Sequence, residues 1–177
     1  MNRINELIKS GQTIFHTTDL AVLWHISNRN TLYTATQRAV KQGVLARIYK
    51  GLYTTGSLFQ LDPFLLGQKA WHDFTYLSTE TVLVQAGIIF QSMPYITFVA
   101  ATTKKLLILG QEYRFRQMAP QFLHNRMGID QKDGLFVASP ERAVADLLYY
   151  NPSAFLDNRS LPDWDKIRSI QQQVGFL

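Results

Sequence analysis

The sequence predicts an α+β protein, and three observations carry that expectation. Helical periodicity with capping residues fills the chain up to Gly43; the period then switches to two from Val44 to Thr54; beyond Gly56, helical and strand-like runs alternate. A chain of 177 residues that is 46% hydrophobic can bury a real core. At this length about two-thirds of the unfolded surface leaves water on folding. The modest 18% charged content and scattered proline argue against disorder.

Ile4, Leu7 and Ile8 fall on one face of a first helix over residues 2 to 10, closed by Gly11. Phe15 to Asp19 enters a second helix, with Thr17 or Thr18 as cap and Leu20, Leu23 and Trp24 as its apolar face. His25-Ile26-Ser27 makes a turn. Ser27 or Asn28 caps a third helix that runs to Gln42 and stops at Gly43. At 100° per residue, Leu32, Ala35, Thr36, Ala39 and Val40 share its inner face, while Asn30, Thr34, Gln37, Arg38 and Lys41 share the outer one. Val44 to Lys50, Gly51 and Leu52 to Thr54 read as a small hairpin. Helix, turn, helix and basic hairpin together read as a winged helix-turn-helix domain over residues 1–57, and Gly56 to Asp62 reads as a linker.

Residues 58–177 read as a small mixed α/β domain. Helices are expected at Pro63 to Phe74, from Ser78 to near Gly87, from Pro140 to Tyr150 and from Asp163 to Gln172. Strands are expected at Tyr95 to Ala101, Glu112 to Gln117 and Leu135 to Ala138. No internal repeat or low-complexity tract is visible.

Charge separates the two parts. Up to Gln60 there are seven Lys/Arg against two Asp/Glu, a balance of +5; from Leu61 onward eleven of each give zero, so the whole formal charge of +5 sits in the first third. That is the footprint of a polyanion-binding module joined to a neutral one. Cysteine is absent, which excludes disulfides, thiolate zinc sites and cysteine nucleophiles, and a cytoplasmic location is expected. The four histidines lie on separate elements without metal-ligand spacing, and no nucleophile elbow, phosphate loop or dinucleotide fingerprint is present. Neither catalytic residues, metal nor cofactor is expected, and the protein is not read as an enzyme. No apolar run approaches the roughly 18 residues that span a bilayer, so no membrane partner is expected.

The third helix carries residue types that read duplex DNA. Asn and Gln can pair with adenine, Arg with guanine, and Tyr or Thr can meet phosphates or thymine methyls. Arg29, Asn30, Thr31, Tyr33, Thr34, Gln37, Arg38 and Lys41 are the candidates on the helix, with Arg47 and Lys50 on the hairpin as phosphate contacts. An ordinary amphipathic helix with a solvated outer face would share this pattern; the charge partition and the hairpin that follows favour DNA. Arg114 and Arg116, preceded by Lys104-Lys105, form a second cationic group whose charge neighbouring carboxylates cancel.

Four stretches resemble the AbiEi antitoxin family of type IV toxin–antitoxin systems: Phe15 to Leu20 leading into the third helix, Gly43-Val44-Leu45 leading into Lys50-Gly51-Leu52-Tyr53, Tyr76-Leu77-Ser78-Thr79-Glu80, and Ala138-Ser139-Pro140-Glu141-Arg142-Ala143 leading into Asp146-Leu147-Leu148. Arg142 stands where the family pattern leads one to expect lysine. The resemblance implies a winged helix that represses its own promoter by binding inverted repeats, as a homodimer or as paired monomers. It also implies a C-terminal domain associated with antitoxicity, and a nucleotidyltransferase-like toxin as functional partner. The expected function is therefore an autoregulating DNA-binding repressor; the alternative is an interaction module that binds a toxin or other partner directly through the C-terminal domain.

Overall fold

The computed structural model describes residues 3–71 and 73–177. Among them are eight α-helices and nine strands in two sheets, an α+β architecture. The expected first residue of the opening helix, Asn2, and His72 lie outside the described residues. The chain divides into two compact units, Met1–His72 and Asp73–Leu177.

In the first unit α1 (Arg3–Lys9) leads into β1 (Ile14–His16), α2 (Thr17–Leu23) and α3 (Arg29–Lys41). The strand β1 stands where the sequence predicts the approach to a helix. It forms because Ile14 and Phe15, 1% and 0% exposed, both enter the core while their backbone pairs with β3 (Leu52–Thr54). His16 therefore caps α2 in place of Thr17 or Thr18: its Nδ1 accepts from Thr18 N–H at 3.2 Å, and Asp19 accepts from His16 N–H at 2.9 Å.

The turn between α2 and α3 is closed by Ile26 N–H donating to Ala21 O at 2.9 Å, with His25 in the left-handed region at φ 51°. Asn28 caps α3, accepting from the N–H groups of Asn30 and Thr31, each at 3.0 Å. Gly43, at φ 70°, ends it as expected. The strand β2 (Ala46–Tyr49) pairs with β3 across the Lys50-Gly51 turn, and the sheet order is β1-β3-β2. Leu7, Phe15, Leu20, Trp24, Leu32, Ala35, Leu45 and Tyr53 form the core.

After a short 3-10 turn (Leu58–Gln60), α4 (Pro63–Lys69) also belongs to the first unit, which thus ends later than the boundary expected at residues 57–58. The reason is tertiary. The helix α4 packs on β1, and Lys69 Nζ reaches Asp19 at 3.3 Å and Gln12 Oε1 at 3.0 Å.

The second unit comprises β4 (Tyr76–Leu77), α5 (Glu80–Gln85), β5 (Tyr95–Ala100), β6 (Lys104–Ile108), β7 (Gln111–Gln117), α6 (Pro120–Leu123), β8 (Ile129–Lys132), β9 (Leu135–Ala138), α7 (Pro140–Tyr150) and α8 (Trp164–Val174). Its mixed sheet runs β6-β7-β5-β4-β9-β8. The strands β5 and β7 pair in parallel, and the alternation in β7 sends Tyr113 and Phe115 into the core. Ser139 and Asp163 cap α7 and α8, which pack on each other.

Candidate nucleic-acid interface

The face division of α3 follows from its sequence spacing. Leu32, Ala35 and Thr36 are buried, with Thr36 Oγ1 donating to Leu32 O at 2.8 Å, while Arg29, Asn30, Thr31, Tyr33, Thr34, Arg38 and Lys41 are exposed and Gln37 is half-buried. Tyr33 is 64% exposed, so its ring is presented to solvent and takes no part in the core. On the hairpin, Arg47, Tyr49 and Lys50 are exposed and Tyr53 is buried. A register shift between Arg47 and Tyr49 inserts an extra residue there.

Two of the concavities along α3 gather the expected residues, and a third lies beside Trp24. On the hairpin side Arg29, Tyr33, Gln37, Arg47 and Lys50 line a groove of about 320 Å³, together with Thr17, Leu32, Thr36, Gly51 and Tyr53. A second groove of about 320 Å³ is lined by Asn30, Thr31, Thr34, Ala35 and Arg38, and by Arg3 of α1. Nine of the ten expected residues are therefore gathered into two clusters, and Lys41 lines neither. Arg3 is absent from the sequence-derived set. Its only sequence signal is membership of the basic N-terminal segment, because the contact that brings it to α3 is tertiary.

The hairpin turn is tied back to the helices. Thr17 donates to Gly51 O through its N–H at 2.9 Å and through Oγ1 at 3.0 Å. Lys50 is thus carried on a short two-residue turn anchored at the start of α2, and Arg47 on the strand that leads into it.

The cationic groups picked out in the two units differ in their partners. Among the described residues Arg3, Arg29, Arg38, Lys41, Arg47 and Lys50 form no salt bridge. In the second unit Arg114 meets Glu112 at 2.6 Å and stacks on Tyr95, and Arg116 meets Glu80 at 2.8 Å and stacks on Tyr150. Those arginines are already neutralised. In the first unit Lys9 and Lys69 are paired with Glu6 and Asp19, while the six cations named above keep uncompensated positive charge that attracts polyanions.

The second unit has a polar constellation of another kind. Arg142 and Asp146, both 0% exposed, meet at 2.8 Å through Nε and Oδ1. Arg142 Nη1 donates to Asn125 O at 3.0 Å and to Met127 O at 2.8 Å, and Nη2 donates to the Tyr76 hydroxyl at 3.0 Å. Asp146 Oδ2 accepts from Tyr76 at 3.0 Å and from Ser78 at 2.7 Å. The Tyr76–Glu80 and Ala138–Leu148 stretches thus meet in one buried network. Burial lifts the Asp146 carboxyl above its ordinary value against the pull of Arg142 and Ser78. For the guanidinium, burial is outweighed by Asp146 and Tyr76, which hold it above its ordinary value. Every charged group in the network has its partners, as a structural core requires.

Among the described residues no group of three or more His, Asp or Glu side chains is placed to hold a metal ion, and no helix is long and apolar enough to cross a membrane. The chain is an α+β protein whose first unit exposes a helix and a hairpin with cations that have no carboxylate partner among the described residues. No family model matches it, and no curated protein matches it.

Proposed function

We propose that this protein is a sequence-specific DNA-binding repressor, the autoregulating antitoxin of a type IV toxin–antitoxin system of the AbiEi kind, whose first unit is a winged helix. The observation that carries the reading is the exposed outer face of α3 beside a basic hairpin, both without carboxylate partners among the described residues. The element order α1-β1-α2-α3-β2-β3, with a five-residue turn between α2 and α3, supports it. A 13-residue helix is about 20 Å long and fits the major groove. In this reading Arg29, Asn30, Tyr33, Thr34, Gln37 and Arg38 enter the major groove, where Asn30, Thr34 and Gln37 can meet base edges, and Arg47 and Lys50 meet phosphates. The operator is an inverted repeat bound by a homodimer or by paired monomers in the cytoplasm. In this reading the second unit, held together by its buried network, counters a nucleotidyltransferase-like toxin without forming a stable complex with it.

The test is binding of the full chain to a duplex from its own upstream region, with a scrambled duplex as competitor. Retention of the native duplex and protection of two symmetric half-sites are expected. With about five of the exposed cations on α3 and the hairpin neutralising phosphates, log K should fall against log salt with a slope of about −4 to −5. A flat salt response, or equal affinity for both duplexes at all salts, overturns the reading.

A further inference from the structure

We infer that Arg3 and Arg38 form a second phosphate-binding site, on the side of α3 opposite the hairpin, so that α3 is gripped by phosphates along both of its flanks. This rests on the DNA-binding reading and adds to it a residue from α1 and a second backbone contact region.

Arg3 and Arg38 line the same two concavities, one with Asn30, Thr31 and Thr34 and the other beside Trp24. Neither guanidinium has a carboxylate partner among the described residues, and Glu6, the acidic residue of α1, turns instead to Lys9 at 3.8 Å. Two like charges lining one concavity repel each other, and an anion between them removes that cost. Arg3 is also oriented. Its guanidinium lies 5.6 Å from the ring centroid of Trp24, which is 5% exposed and whose Nε1 has no acceptor. A cation–π contact at that distance holds the guanidinium near the ring without using its N–H donors, which stay available to an oxygen anion. Thr34 lines the same concavity and adds a hydroxyl donor suited to a phosphate oxygen, while the Thr31 hydroxyl beside it donates to Asn28 Oδ1 at 3.3 Å.

The hairpin groove supplies Arg29, Arg47 and Lys50 on the other flank. A helix lying in the major groove has a phosphate strand on each side, and cations on one flank alone would neutralise only one of them. Arg3 supplies the missing partner.

The experiment measures the salt dependence of binding of the full chain to its upstream duplex and to a scrambled duplex, for the wild type, Arg3→Ala, Arg3→Lys and Lys9→Ala. Lys9 is 74% exposed at its side chain and lines neither groove, so Lys9→Ala removes the same charge from the same helix away from the site. Arg3→Ala should make the slope of log K against log salt shallower by about one on both duplexes, roughly a fivefold to tenfold loss near 0.1 M salt. Arg3→Lys should recover part of that affinity, and Lys9→Ala should keep the wild-type slope. A wild-type slope for Arg3→Ala, or the same change in Lys9→Ala, overturns the second site and leaves the DNA reading intact. Absence of wild-type binding to either duplex at low salt overturns both.

Discussion

Arg142 and Asp146 form a 2.8 Å ion pair across one turn of α7 with neither side chain exposed, and Tyr76 and Ser78 of the neighbouring strand region complete the hydrogen bonding of the carboxylate. Removing one member of such a pair strands the other in a medium that solvates it poorly. Arg142→Ala should therefore destabilise the second unit by about 3–5 kcal/mol. Arg142→Lys should lose less, keeping a charge for Asp146 but lacking the fork that also serves the carbonyls of Asn125 and Met127. The paired change Arg142→Met with Asp146→Leu should cost less than the sum of the two single changes. Urea unfolding followed by circular dichroism checks this, and additive costs would show that the two side chains act independently.

The same unit should weaken in alkali, in part through the Tyr150 phenol. Burial, with the nearby Asp146 charge, raises Tyr150 above its ordinary value, while its hydroxyl donates to Arg116 O at 3.3 Å. Below about pH 10 the phenol is protonated in both folded and unfolded chains, so its contribution is complete. Above that value the unfolded chain releases the proton and the folded one keeps it, so stability falls as pH rises toward the folded-state pKa. The slope approaches about 1.4 kcal/mol per pH unit for one such group. Tyr76 is raised by burial too and adds to the same fall. Tyr150→Phe should lower stability slightly at neutral pH and flatten the decline between pH 10 and 11, read from urea midpoints. Parallel curves for the two proteins would remove Tyr150 as the cause.

Much of the first unit was legible because its signals are local. Asn28, Gly43 and the 3.6-residue spacing of Leu32, Ala35 and Thr36 act within one helix and fall where the spacing predicts. The strands Ile14–His16 and Tyr76–Leu77 carry too few residues to show a period, and both exist because a distant strand pairs with them. The five-residue spacing of Glu141 and Asp146 argues against a shared face, and the four-residue pair one position along, Arg142 with Asp146, is the one that matters. Its meaning depends on Tyr76 and Ser78, far away in sequence. Arg3 was hidden for the same reason, since only the packing of α1 near Trp24 brings it beside Arg38. The boundary between the units shifted because Asp62-Pro63 starts a helix whose Lys69 is claimed by Asp19, a contact no linker composition reveals.

Gly51 gives a last test, one that joins stability to DNA binding. It sits at φ 77° in the hairpin turn, and an added Cβ would lie 3.1 Å from Thr17 Oγ1, the hydroxyl that donates to Gly51 O, and 3.3 Å from His16 Nε2. Gly43 has a similar φ of 70° with nothing within 4 Å of an added Cβ, so Gly43→Ala measures the left-handed strain alone. That strain is about 1–2 kcal/mol. Gly51→Ala should cost more, because Thr17 must also move away from the turn it anchors. The tryptophans of the first unit, Trp24 and Trp71, report its unfolding by fluorescence. Gly51→Ala should also weaken binding to native and scrambled duplexes by the same factor, since it shifts Arg47 and Lys50 without touching the outer face of α3. Equal destabilisation by the two alanine variants would show that the turn is free to give way. Loss of binding to the native duplex alone would reassign the hairpin from phosphate contact to base reading.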